Sequence, residues 1–477
     1  MQNAISRRAF LTYSAAVGAT SLILPSRAAF AQNMRRLTAG TRSIDVNGRS
    51  ASVFGITGEN GEPGLILGPD ETFDLSLENQ SGVPTIIHWH GQVPPPEMDG
   101  VADTGYVAPI EHGAAASYGF APRSGTHWMH SHQGLQEQSL MAAPLIVRTK
   151  EDVSADLQEV VVLLHDFSFR SPEEILQGLG GNTGMAHGAM APMQPMAGMA
   201  MDSTAMAMGG MDLNDVQYDA FLANDRTLDD PEVIRTERGG RVRLRIINGA
   251  ASTAFWLDLG GVPASVVAVD GNPVQPIAGT SFPLAIAQRI DLIVEVPAGA
   301  VVPVMAVREG DNARTGILLA APGAAVSRFG SLAETPSTPL DMSLERRLVA
   351  SSGLAAKAAD IRHSVMLTGS MSPYSWTIDD QPWQTRRKLE VKQGQRVELE
   401  FMNHTMMAHP MHLHGHHFQV VGIDGQSLGG AMRDTVLVPS MGVVTVAFDA
   451  DNPGRWLYHC HNLYHMAAGM MSEVIYA

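Results

Sequence analysis

Gly394-Gln-Arg-Val-Glu-Leu-Glu-Phe-Met-Asn403 alternates behind its glycine: Val397, Leu399 and Phe401 are apolar, Glu398 and Glu400 charged. On an extended chain, successive side chains face opposite ways, so this is a strand with one buried face. The pattern recurs as Gly68-Pro-Asp-Glu-Thr-Phe-Asp-Leu-Ser-Leu-Glu-Asn79 and Gly240-Arg-Val-Arg-Leu-Arg-Ile-Ile-Asn248. Aligned on the asparagine, apolar residues stand two, four and six positions earlier in every copy. The asparagines lie 169 and 155 residues apart. Three copies at domain-sized intervals predict three related β-domains, and β-sandwiches are the expected architecture.

Composition agrees. The 477 residues contain 47 glycines and 28 prolines, as a turn-rich β protein needs, and are 45% apolar, enough to bury full cores. Net charge is −16, from 32 basic and 48 acidic side chains. An acidic chain without a basic stretch is a poor ligand for phosphate backbones, which excludes a nucleic-acid partner. A single cysteine excludes an internal disulfide framework. Beyond the N-terminus no run of about 18 apolar residues occurs, so no membrane span is expected.

The N-terminus reads as an address. Ser6-Arg-Arg-Ala-Phe-Leu11, a short apolar stretch from Ala15 to Leu24, and Ala29-Phe-Ala31 make a cleavable secretory signal over residues 1–31. The paired arginines resemble the twin-arginine (Tat) type, whose export machinery carries folded proteins into the periplasm. The expected domains are 36–150, 158–322 and 345–477, joined by polar segments at 148–158 and 322–345. Residues 185–211 hold nine methionines among Gly, Ala and Pro, with no hydrophobic period. This low-complexity insert in the middle domain reads either as a flexible segment or as soft thioether capture of Cu(I), with His187 as a further donor.

Eighteen histidines predict roughly one His-x-His by chance. The chain has five: His88/His90, His130/His132, His412/His414, His414/His416 and His459/His461. On a strand, residues i and i+2 share a side, so each pair offers two imidazoles to one pocket. His88 and His90 stand nine and eleven residues after the first asparagine, as His412 and His414 do after the third; the middle copy has Leu257 and Leu259. His130/His132 and His459/His461 each follow a glycine, Gly125 or Gly454, by five and seven residues. The outer domains therefore supply eight imidazoles, too many for one ion, and a cluster is expected where they meet. The third copy alone adds His409, Cys460 and His465, against Thr85, Ser131 and Gln136 in the first. Two histidines, a thiolate and a weak thioether, for which Met470 is placed, compose a blue-copper site. Alternation then turns Cys460 toward that site and its neighbours toward the cluster.

His88-Trp-His-Gly91, His130-Ser-His132, His409-Pro-Met-His-Leu-His-Gly415 and His459-Cys-His-Asn-Leu-Tyr-His465-Met-Ala-Ala-Gly-Met470 together resemble three-domain multicopper oxidases of the bacterial laccase and copper-resistance group. Ala287-Gln-Arg-Ile-Asp-Leu-Ile-Val294 is similar to a strand of that family's middle domain. The resemblance implies three cupredoxin-like Greek-key sandwiches and four copper ions. It implies type 2 ligation by His88 and His412, and type 3 ligation by His90, His130, His132, His414, His459 and His461. It implies type 1 ligation by His409, Cys460 and His465, with Met470 axial.

Asp99 stands where the family has an acid near the type 2 copper, which implies proton delivery. Met407 matches a methionine that binds substrate Cu(I) in copper-efflux oxidases, although their acidic partner is Thr405 here. Met466 replaces an acid of many bacterial laccases, as in the copper-resistance oxidases. The implied activity couples four one-electron oxidations to reduction of dioxygen to water, with Cu(I) as donor in periplasmic copper tolerance. The alternatives are a laccase that oxidises phenols and, in a different class, a periplasmic copper-storage protein. A monomer is expected. The remaining histidines, at 112, 127, 165, 187, 363, 404, 416 and 417, read as surface or structural, with His416 and His417 close enough to the motif to brace it.

Overall fold

The computed structural model describes residues 34–180, 213–237 and 240–477. The signal at 1–31 and the methionine-rich insert at 185–211 lie outside the described residues. The compact unit Arg36–Ala477 is built from strands.

Each repeat forms the strand its alternation predicts: Phe73–Asn79, Arg241–Asn248 and Arg396–Asn403. Phe73, Leu75 and Leu77 are fully buried; such burial contributes about 1.5–3 kcal/mol per large side chain. The asparagine that ends each strand has a fixed task. Asn79 Nδ2 donates to Val83 O and Ile110 O, and its Oδ1 accepts from Ser81 N. Asn248 bridges Thr253 O and Leu284 O, and Asn403 bridges Met407 O and Val438 O, with the same turn closed onto Ala250 N and Thr405 N. One amide thus ties the strand end to the loop that follows, and in the outer domains that loop leads to the histidine pair.

Each repeat sits in one sheet of a facing pair. The first pair orders Arg49–Thr57, Arg35–Val46, Phe73–Asn79 and Ala115–Phe120 in one sheet, and Leu65–Leu67, Ala142–Val147, Gly125–Ser131 and Ile87–His88 in the other. The second pair has six and five strands between Gln158 and Ala320, the third seven and five between Ile361 and Tyr476. Each pair encloses its own apolar core. Parallel pairs occur in all three, as where Ile361–Met371 runs beside Arg396–Asn403. Residues 148–158, expected as a plain linker, include one helical turn, Lys150–Ser154, because Thr149 and Asp152 cap each other's backbone N–H groups.

The three sandwiches meet at Gln138. Its Oε1 accepts from Tyr218 and Tyr464 at 2.8 and 2.9 Å, and its Nε2 donates to Asp166 at 3.1 Å. No helix among the described residues is long and apolar enough to cross a membrane.

Candidate metal centres

Strand register decides which histidines meet. His88 opposes His130 across Ile87–His88 and Gly125–Ser131. His412 opposes His459 across His409–Leu413 and Arg455–Cys460, where Met411 opposes Cys460. Directly opposed side chains lie about 4.5–5.5 Å apart on one face. His409, Met411 and Cys460 therefore point into the third core, while His412, His459 and His461 point away from it, toward the first domain.

The two outer domains close on each other there. His88 Nε2 and His412 Nε2 are 3.4 Å apart, and His414 Nε2 and His459 Nε2 3.0 Å. Three groupings hold their ligand atoms within 4.8 Å: His88/His412/His414, His88/His90/His130 and His132/His414/His459. His461 completes the set, its ring 5.0 Å from those of His90 and His130. Eight of the nine paired histidines line one buried space; the ninth, His416, turns its Nε2 to Tyr476 Oη instead.

Their outer nitrogens are anchored. His88 Nδ1 donates to Asp99 O at 2.9 Å and His412 Nδ1 to Asp434 O at 2.8 Å. His414 Nδ1 donates to Asp99 Oδ2 at 2.9 Å, and His459 Nδ1 to Cys460 O at 3.0 Å. Glu137 Oε2 lies 2.7 Å from His130 Nδ1. The inner nitrogens have no such partner: His90 Nδ1 and Nε2 of His130, His132 and His461 are buried without a hydrogen bond. Orphaned buried groups are rare and costly. Burial, then mutual repulsion, pushes most of these imidazoles well below their ordinary pKa, His414 to about 4. They are neutral at physiological pH, the form that ligates metal.

The second constellation lies behind Cys460. Its Sγ is 3.6 Å from both His409 Nδ1 and His465 Nδ1, which are 3.1 Å apart, and all three residues are fully buried. His465 rides on a short helix, Leu463–Ala467, that starts directly after the strand because Asn462 Oδ1 accepts from Tyr464 N and His465 N. That turn, which alternation does not foretell, folds His465 back over Cys460. Cys460 N donates to Met470 O and Met470 N to His465 O, so the buried Met470 is pinned to both ligands. Burial pushes the Cys460 thiol up, so a thiolate there calls for a cation. Both donor sets suit copper: imidazoles alone in the first, and two imidazoles with a thiol and an adjacent methionine in the second.

The first domain preserves the outline of this second set. Thr85 Oγ1 and Ser131 Oγ both donate to Gln136 Oε1, at 2.6 and 2.8 Å. The three residues aligned with His409, Cys460 and His465 therefore converge too, closed by hydrogen bonds among themselves.

Sequence spacing missed several participants. Asp434 and Thr435 hold His90, each 3.1 Å from its Nε2. Glu137 supports His130, and Asp215 Oδ2 lies 2.9 Å from His465 Nε2. Thr405 Oγ1 is 2.8 Å from His409 Nε2, so the residue in the expected acid's place still touches the ligand. Met407 is buried and in contact with the third core. Of the other histidines, 127, 165 and 416 are buried, 363 and 417 are half-buried, and 112 and 404 are exposed. His416 Nδ1 donates to His414 O, and His417 Nε2 to Gly91 O, so both brace the ligand backbone.

Three family models, each described as multicopper oxidase, match residues 38–152, 188–315 and 358–477. The chain is 33% identical to multicopper oxidase MmcO of Mycobacterium tuberculosis, over 98% of its own length and 92% of that protein's. It is 26% identical to copper resistance protein A of Escherichia coli, over 98% of each. Among solved structures it is similar to a laccase-like multi-copper oxidase CueO from Ochrobactrum sp., with TM-score 0.70 and 20% identity over 94% of this chain and 98% of that one. A point mutant of the laccase from B. aclada gives TM-score 0.74 at 22% identity, over 92% and 87%.

Proposed function

This chain belongs to the multicopper oxidase family, and on that premise we propose that its electron donor is Cu(I), oxidised to Cu(II) in periplasmic copper tolerance. It is an oxidoreductase that uses copper, with dioxygen as acceptor. The observation that carries the proposal is a sequence one: nine methionines within residues 185–211, a density of soft donors that phenol oxidation does not call for. The likeness to copper resistance protein A supports the same reading.

His409, Cys460 and His465 would hold a type 1 ion, with Met470 as a further donor. His88 and His412 would hold type 2, and His90, His130, His132, His414, His459 and His461 a type 3 pair. Bound copper supplies the one-electron exchange and the four-electron reduction of dioxygen to water. The protein does the rest. Cys460 is bonded through the backbone to His459 and His461, so one tripeptide joins the two constellations. All these ligands are buried, which keeps both donor sets apart from bulk solvent competition at their side chains. Asp99 is placed to move protons: Oδ2 accepts from His414 Nδ1, and Oδ1 stands 3.3 Å from His88 Nδ1. Burial opposes its charge, but His88 and His414 hold its carboxyl well below the usual range. It therefore rests ionised, with both oxygens turned to ligand imidazoles. Export by the twin-arginine route and work as a periplasmic monomer complete the proposal.

Oxygen uptake with Cu(I) and with a phenol, on the intact protein and on one lacking residues 185–211, tests it. Faster uptake with Cu(I), reduced by the deletion, is expected. Unchanged cuprous turnover after deletion removes the insert's role; uptake with phenol alone makes the protein a laccase, and no uptake a storage protein.

A further inference from the structure

We propose that Arg289 is a positioning residue that determines which nitrogen His90 turns toward the cluster, so that the domain without paired histidines governs the geometry of the site. The inference rests on the copper reading above and extends it to a side chain from outside the ligand set.

His90 is reversed relative to its neighbours. His88, His412, His414 and His459 turn Nε2 inward, and the unpartnered inner atoms of His130, His132 and His461 are also Nε2. His90 instead points Nε2 outward, to Asp434 Oδ1 and Thr435 Oγ1, and leaves Nδ1 as its inner, unpartnered atom. An imidazole with one N–H takes the tautomer its outer partner demands. Asp434 accepts a proton-bearing nitrogen, so the bare lone pair of His90 is on Nδ1. The orientation of His90 is thus decided by where the Asp434 carboxylate sits.

Arg289 decides that. Its Nη1 donates to Asp434 Oδ1 at 2.7 Å and its Nη2 to Asp434 Oδ2, a two-pronged pairing that fixes the plane of the carboxylate. Nε donates to Thr126 O at 3.2 Å, and Asp270 Oδ1 accepts from the Arg289 backbone N at 2.9 Å. One guanidinium from the middle domain therefore grips the first domain's backbone and the third domain's carboxylate directly behind the cluster. Arg289 and Asp434 are 0% and 1% exposed, so water cannot substitute for either partner.

Gly91 supplies an independent observation. At φ +87°, a Cβ there would lie 2.6 Å from Arg289 Nη2 and 2.9 Å from Asp434 Oδ2. The glycine that follows His90 in the His-Trp-His-Gly motif leaves the room in which this pair is seated against the ligand strand.

The test uses copper-loaded full-length protein as wild type, Arg289→Gln and Arg289→Lys. Copper per chain, visible absorption per chain and the EPR-visible fraction of bound Cu(II) are measured beside the melting temperature. Two Cu(II) ions sharing a bridge couple and give no EPR signal. In Arg289→Gln the blue absorption should persist while the silent fraction falls, by uncoupling or by loss of copper; Arg289→Lys, with a single prong, should fall between. A pair that only glues domains would lower the melting temperature and leave the silent fraction at the wild-type value, and that result overturns the proposal. If Arg289→Gln does not fold, a wild-type silent fraction in Arg289→Lys overturns it equally. Wild-type protein that binds no copper would instead defeat the copper reading itself.

Discussion

Replacing Asp215 by asparagine should raise the reduction potential of the blue centre. The carboxylate is wholly buried, and its Oδ2 lies 2.9 Å from His465 Nε2. Tyr374 Oη and Asn462 Nδ2 donate to the same oxygen at 3.0 and 3.1 Å, and an amide oxygen can accept both bonds. The substitution therefore removes a charge while leaving the shape intact. His465 turns its other nitrogen, Nδ1, to Cys460 and His409. A negative charge across that ring favours the oxidised ion. With a separation of roughly 7 Å and an effective dielectric of about 20, Coulomb's law gives ~2.4 kcal/mol. At about 1.4 kcal/mol per 59 mV for one electron, the shift is on the order of 100 mV upward. Redox titration followed at the visible band measures it directly. A change under about 20 mV, or a downward one, would refute the electrostatic reasoning, because no reasonable dielectric reduces a buried charge at that distance so far.

Further outcomes are expected. Cys460→Ser should abolish the intense visible absorption; a blue serine variant refutes the assignment of Cys460 to the type 1 site. Asp99→Ala should keep the blue band and lose oxygen uptake, whereas normal turnover removes Asp99 from proton transfer. Glu309 is a stability prediction. Burial lifts its carboxyl from 4.5 to about 7 although Leu340 N donates to it. The folded chain then holds a proton that the unfolded chain releases, so stability is present at low pH and is lost as pH rises through about 7. Glu309→Gln should raise the melting temperature at pH 8, by at most about 3 kcal/mol of stability, and leave it unchanged at pH 4; equal effects at both refute the linkage.

Much of this molecule is legible from local geometry. Period-2 alternation marks Phe73–Asn79, Arg241–Asn248 and Arg396–Asn403 as strands with one buried face, and all three are. The i, i+2 spacing anticipates which histidines share a space in four of the five pairs; His414/His416 departs from it, because the chain turns at Gly415 and sends His416 to Tyr476. Thr85, Ser131 and Gln136, which the alignment puts in the places of His409, Cys460 and His465, meet in the structure as well. The helical turn that carries His465 was not legible, because it depends on a cap at Asn462 rather than on any hydrophobic period. The supporting groups were not legible either. Asp434 is 344 residues from His90, and Asp215 is 247 from Asn462. No periodicity spans such a distance.

The chain's own order of residues determined the sandwiches, the identity of the donor atoms and the face each occupies, because side-chain direction along a strand is fixed by the covalent backbone. Only the packing of three sandwiches against one another decided which carboxylate, hydroxyl and guanidinium stand behind each imidazole, and so which nitrogen His90 presents. Those contacts join segments whose separation along the chain carries no signal, and they exist only once burial has removed water as the competing partner.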